Sequence, residues 1–328
     1  MEMFARWYQW LRRHNAPVSI RDFSGTEFVD ITNAADYFYT SEPEIWDIDE
    51  NIPVATLPWD LAWMEFKFPR FAKDSGNEIT STFPLNMYSG ARCYQMPIKP
   101  EHGRRAIEEN LAHQLLKRAV WANNPQHKFL VDEEDTRERI QAALATGRPA
   151  RWLLSIDIFF AFGHRVVPYE LTNFYLDPTG RIISEMMGSV PMLPGMMEEW
   201  AKNDMASALV AAFPYLYAIS LLHCKNVDLE EAQFPRSTMR RAKQREVPDV
   251  VFKQLHVRPM GAPATEHKPS SADTYQKKRL HICRGHFKDY RKGAGLFGRY
   301  PGLYWWAQQL RGELDQGIVI KDYIVETE

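Results

Sequence analysis

Residues 280–290, Leu-His-Ile-Cys-Arg-Gly-His-Phe-Lys-Asp-Tyr, place Arg284, His286, Lys288 and Tyr290 at every second position. Alternate residues of a β-strand share a face, so these four side chains would form a row, about 7 Å from one to the next at a rise of ~3.3 Å per residue. Cys283, Gly285, Phe287 and Asp289 would take the other face. Cleaving a phosphodiester without a metal needs a group that moves protons near neutral pH and fixed positive charge for the anionic transition state. His286 is the candidate general acid or base. Arg284 and Lys288 are candidate phosphate holders, the first by a bidentate fork and the second as a point charge, and Tyr290 would orient the substrate or stack on a base. The same row also fits a solvated sheet face that binds phosphates without cutting them.

The surroundings of this row favour a polyanion as partner. Arg236, Arg240, Arg241, Lys243 and Arg245 lie within ten residues with no acid between them; Lys277, Lys278 and Arg279 lead into the strand, and Arg291, Lys292 and Arg299 follow it. Residues 236–292 hold 15 basic and 5 acidic side chains, a density that attracts nucleic acid. Tyr290, Tyr300, Tyr304, Trp305 and Trp306 lie among these cations, an interleaving suited to unpaired bases, so RNA or single strands are the expected partner. Trp305 and Trp306 fit a hydrophobic core as well.

The whole chain of 328 residues hides this bias, with 40 Lys/Arg against 42 Asp/Glu. Divided before Arg236, it carries −10 in residues 1–235 and +8 in residues 236–328. Two regions are expected, an acidic α+β region (1–235) and a basic β-rich region (236–328), either separate or one continuous domain. With 45% hydrophobic and 13% aromatic residues, the chain is neither disordered nor collagenous nor a small disulfide scaffold.

A second chemistry attaches to Glu65-Phe66-Lys67, which follows Asp60. Metal-dependent nucleases use an acid and then Glu-x-Lys to hold Mg²⁺ and activate water. Asp60 is closer than that pattern normally allows, and Asp157, in its apolar run, is the other available acid; an ordinary surface pair of Glu65 with Lys67, and a structural cation beside Asp157, are the plainer readings. His102, His113, His127, His164, His223 and His256 show no ligand spacing, and phosphate-loop, dinucleotide and nucleophile-elbow motifs are absent, so no metal or cofactor is expected. Cys93, Cys224 and Cys283 form no CxxC pair, which fits a reducing cytosol. The charged N-terminal segment does not read as an export signal. Residues 205–224 carry no charge, but Pro214 and several hydroxyls interrupt them, so a buried core helix is expected rather than a membrane span, and the location expected is cytoplasmic.

Periodicity supplies the elements that must position these groups. It predicts helices over 2–14, 103–123 and 132–146, strands over 61–68 and 151–162, and a hairpin of 166–175 with 181–187 about the turn 177–180. Strands follow at 250–258, 280–290 and 318–325, with a polar loop over 259–275, a glycine-punctuated turn over 292–302 and an aromatic segment over 303–310. The fold class is α+β, mixed helices with an antiparallel sheet.

The strings HICRGHFKDY, GLFGRYPGLYWW, LRG and KDY between His281 and Tyr323 resemble a signature of uncharacterised bacteriophage, prophage and mobile-element proteins, whose core reads Arg-Gly-His followed by Phe or Trp. LLHCKNV at 221–227 and Trp63-Met64-Glu65-Phe66 are similar to the same family. The resemblance implies a mobile-element setting and leaves the mechanism open. The rival to a nuclease is a non-enzymatic protein that blocks or triggers a host defence system through a host protein partner.

Overall fold

The computed structural model describes residues 1–13, 23, 25–41, 51–68, 72–74, 79–81, 87–98, 150–162, 165–183, 188–191, 206–258, 279–283, 285–307, 309–311 and 313–318. The helices expected over 103–123 and 132–146 lie outside these residues, as does the loop 259–275. The chain divides into two compact units: Met1–His223 with Val227–His256, and Cys224–Asn226 with Val257–Glu328.

The first unit contains α1 (Glu2–Arg13), β1 (Glu27–Asp30), α2 (Thr32–Ser41), β2 (Leu61–Lys67), β3 (Ala72–Asp74), β4 (Ile79–Ser81), β5 (Tyr88–Pro97), β6 (Trp152–Phe162), β7 (Arg165–Leu176) and β8 (Gly188–Pro191). It continues with α3 (Ala206–Leu222), β9 (Val227–Glu231), α4 (Arg236–Gln244) and β10 (Phe252–Val257). Among the described residues eight strands form one sheet in the order β8-β7-β6-β5-β2-β1-β10-β9, and β3 pairs with β4. The fold is α+β, as expected, but the sheet is mixed: β1 runs parallel to both β2 and β10, whereas β2-β5-β6-β7-β8 is antiparallel throughout. The β1–β2 pair is parallel because a connection that carries α2, not a tight turn, joins the two strands.

Helices cover both faces. α1 buries Met3, Phe4 and Trp7, and its rings meet Phe28, Trp63, Phe159 and Phe252, which the strand register places on one face. On the other face Phe38 of α2 packs on Phe213 and Tyr217 of α3, and Tyr215 of α3 meets Phe66 and bonds the Ser89 hydroxyl. β2 is therefore buried on both sides, where its sequence alternation suggests a half-buried strand. Gly90, opposite Glu65, lets α1 come this close: a Cβ there would lie 2.6 Å from Met3 Cγ and 2.7 Å from Trp63 Cζ2. α3 is the buried helix expected over residues 205–224. Among the described residues no helix is long and apolar enough to cross a membrane.

The second unit contains β11 (Arg279–Cys283), β12 (His286–Asp289), β13 (Leu303–Trp306), β14 (Gln309–Arg311) and β15 (Glu313–Ile318). The single strand expected over 280–290 is two strands in two sheets: β11 lies between β14 and β15, and β12 pairs with β13. Gly285, with no side chain to pack, lies at the break, and the partner run breaks between β13 and β14 at the matching place. Of the closing strand expected over 318–325 only residue 318, at the end of β15, is described.

Candidate nucleic-acid interface

The antiparallel register of β12 with β13 pairs His286 with Trp306, Phe287 with Trp305, Lys288 with Tyr304 and Asp289 with Leu303. His286, Lys288, Tyr304 and Trp306 consequently share one face, and Phe287, Asp289, Leu303 and Trp305 the other. Trp305 is 1% exposed and packs on Phe287 with ring centroids 4.9 Å apart, so its ring is part of the core of this unit and not a stacking platform. Tyr304 is 7% exposed and donates its hydroxyl to the Tyr300 carbonyl at 3.3 Å; it supports the face from beneath. Lys288 Nζ lies 4.3 Å from the centroid of the half-buried Trp306 ring, a cation–π contact that holds the ammonium on the hairpin face. Tyr290 continues this edge, its ring 6.1 Å from that of Tyr304. His286 is exposed. Of the predicted row, His286, Lys288 and Tyr290 fall along one edge, while Arg284 lies outside the described residues.

Asn226 ties the hairpin in place from a distant part of the sequence. Its Nδ2 donates to the carbonyls of Trp305 at 2.9 Å and Arg258 at 3.1 Å, its Oδ1 accepts from Trp305 N at 3.0 Å, and Lys225 N donates to the Leu303 carbonyl at 2.8 Å. Buried backbone groups at the hairpin edge are thereby satisfied by one amide.

Residues 291–302 form a compact turn. Leu296 is buried at its base, and Gly295 has φ +79° with Pro301 N only 2.8 Å from where a Cβ would sit, so only glycine fits there. At the tip Phe297 adopts φ +53°, a left-handed conformation rare for a bulky residue, and stands 78% exposed; Tyr300 is 57% exposed. Lys292 and Arg299 are exposed beside them. Sequence reasoning missed Phe297; its signal was the surrounding Gly-Leu-Phe-Gly, whose glycines make a tight, protruding turn. Arg291 is less available than its type suggests, because its guanidinium grips Asp289 through two bonds of 2.9 and 2.7 Å, which also raise its pKa above the ordinary arginine value.

The remaining predicted cations divide differently from the sequence boundary at 235/236. α4, with Arg236, Arg240, Arg241 and Lys243, belongs to the first unit. At 3.6 residues per turn, Arg236, Arg240 and Lys243 form one exposed stripe. Arg241 and Arg245 point the other way: Arg245 bonds Glu2 at 3.3 Å, and Arg241 lines a cavity. Arg279 opens β11, and Lys277 and Lys278 lie outside the described residues.

The Glu65 pair has a structural role. Glu65 is 5% exposed, and its carboxylate accepts from the α-ammonium of Met1, from Phe4 N at 2.9 Å and from Trp63 Nε1 at 2.9 Å. It caps α1 from across the sheet, a carboxylate placed where a helix N-terminus favours negative charge. Asp157 is bonded by Arg92 Nε at 3.0 Å; burial raises its pKa and the guanidinium lowers it. Asp60 is exposed, and among the described residues no three His, Cys, Asp or Glu side chains converge as metal ligands. Comparisons with protein-family models, with curated proteins and with solved structures find no match for this chain.

Proposed function

We propose that the second unit binds single-stranded nucleic acid, RNA or DNA, across the β12–β13 face and the adjoining turn, in the setting of a mobile element. The observation that supports this most is the exposed Phe297 and Tyr300 in one turn with the exposed Lys292 and Arg299, next in sequence to the hairpin on which Trp306 holds Lys288. Bases stack on the rings and the cations hold the phosphates, a combination that tolerates any sequence because every base has a π-face. The exposed stripe Arg236, Arg240 and Lys243 adds unspecific attraction to polyanions. The sharper form of this reading is metal-independent cleavage, with His286 as general acid or base, Arg284 and Lys288 on the phosphate, and Tyr290 orienting the substrate.

Fluorescence anisotropy with a labelled single-stranded RNA, its DNA counterpart and a duplex tests the proposal. Phe297→Ala should weaken single-strand binding by about 1–3 kcal/mol, the contribution of one stacked base. Lys288→Ala should reduce the slope of log affinity against log salt by about 0.7. Binding that ignores both substitutions, or a stable host protein co-purifying in place of nucleic acid, overturns the reading. Cleavage in EDTA that disappears in folded His286→Ala establishes the catalytic form, and undiminished cleavage by that variant removes it.

A further inference from the structure

The first unit holds an open cavity of about 520 Å³ at the carboxyl ends of the parallel strands β1 and β2, bordered by the start of α1 and by α4. Glu65 and Asp30, neighbours in the β1–β2 register, are at its floor, with Lys67, Tyr88, Thr238 and Arg241 around it. The volume lies within the range of small-molecule sites, and the crevice beyond strand carboxyl ends is where open sheets with parallel strands hold ligands.

The acids and bases of this wall are unequally engaged. Glu65 has three donors, Glu2 takes Arg6 and Arg245, and Asp30 accepts from Thr32 N at 2.9 Å. On the cationic side, among the described residues, Lys67 meets the Tyr88 ring, 5.9 Å from its Nζ, and Arg241 donates to the Ser237 carbonyl of its own helix at 3.3 Å. Among the described residues no carboxylate pairs with either. Arg241 of the helix and Lys67 and Tyr88 of the strands line the same cavity, so the helix cation and the strand-end groups border one space. Burial raises the Tyr88 pKa, which keeps the phenol a donor at neutral pH. Two cations from different elements and two hydroxyl donors suit a group with several oxygens pointing in different directions, which a tetrahedral phosphate has and a planar carboxylate does not.

We infer that this cavity binds a phosphate-bearing small molecule of mononucleotide size, with Lys67 and Arg241 holding the phosphate and Thr238 and Tyr88 donating to its oxygens. Every residue that lines this site belongs to the first unit. Asp30, also in the wall, accepts from hydroxyl or amino groups on the rest of the ligand.

Calorimetric titration of the full chain with inorganic phosphate, AMP and adenosine tests this at physiological salt. Phosphate and AMP should compete for one site and adenosine should not bind. Lys67→Met and Arg241→Gln should each weaken AMP by at least about tenfold, the loss of one charge-assisted contact. The double variant Arg236→Gln with Arg240→Gln, on the opposite stripe of α4, should leave affinity unchanged. Since Arg241 is exposed on a helix surface, its variant folds even where Lys67→Met does not, and circular dichroism checks both. The inference is overturned if neither phosphate nor AMP binds at millimolar concentration, if Arg241→Gln binds AMP as tightly as the parent, or if the opposite-stripe variant loses as much as Arg241→Gln.

Discussion

In β2 the side chains of Trp63, Glu65 and Lys67 share a face; in β12 those of His286 and Lys288 do, opposite Tyr304 and Trp306. Both strands mix aromatic and charged residues, and both invite a catalytic reading from sequence. β2 has a strand on either side and helices over both faces, so its carboxylate is taken up in capping α1. Among the described residues β12 has one partner strand, and its His286 and Asp289 are exposed and Lys288 half-buried, so its charges meet water. Whether a charged residue is structural or available is decided by the layers around its strand, which alternation alone does not encode.

Removing the buried charge should therefore cost far more than removing the exposed one. Glu65→Ala leaves an ammonium, an amide N–H and an indole N–H without their acceptor, and urea denaturation should show a loss of about 3–5 kcal/mol. Lys288→Ala should stay within about 0.5 kcal/mol of the parent while altering binding. Equal losses in the two variants would break the contrast. Asn226→Ala comes next: it orphans the Trp305 amide and two carbonyls, at about 1–3 kcal/mol for an unsatisfied buried group, and should loosen the second unit while the first keeps its melting transition.

Thiol chemistry sharpens the same contrast without mutation. Burial pushes both the Cys93 and Cys224 thiols well above the ordinary range, so a disulfide reagent should leave both unreacted in the native protein at neutral pH. Cys93, at the centre of the eight-stranded sheet, should become reactive only on global unfolding, and Cys224, in the smaller unit, earlier in a denaturant series; simultaneous labelling would show one cooperative unit. The smallest effect concerns Asp36, whose pKa is raised by burial and then by the Asp30 charge. The native state keeps a proton that the unfolded chain has already released, so stability falls as pH rises from the ordinary carboxylate value through the raised one. Asp36→Asn should be slightly more stable than the parent at pH 7 and no different below about pH 3, where both states are protonated.

Much of the local structure was legible in the sequence. The amphipathic spacing of Phe4 and Trp7, the run 151–162, the Asp-Pro-Thr-Gly turn at 177–180 and the Pro-interrupted apolar helix all correspond to observed elements, because each follows from neighbours within a few residues. Asp177, for example, accepts from Thr179 N and Arg181 N, a turn written in four residues. Long-range relations were not legible. Glu65 finds its donors 61 and 64 residues away and Asn226 reaches Trp305 across 79, and no periodicity reports such pairings. The break at Gly285 was hidden for a related reason: a strand that changes sheets keeps its alternation, so the row looked continuous. The burial of Trp305 beside the half-buried Trp306 follows from which face meets Phe287, a register unavailable before pairing.

The three residues Cys224–Asn226, which belong to the second unit although the first resumes immediately after them, have a consequence for synthesis and for inheritance. As the chain leaves the ribosome, Asn226 emerges before α4 and β10, and its amide must wait until Arg258 and Trp305 follow. A fragment cut at His256/Val257 separates a clasp from the hairpin it closes, so neither half carries its own complete set of backbone partners. Recombination at that boundary would hand on an unfastened hairpin. The two units interleave along the chain and are indivisible in the gene.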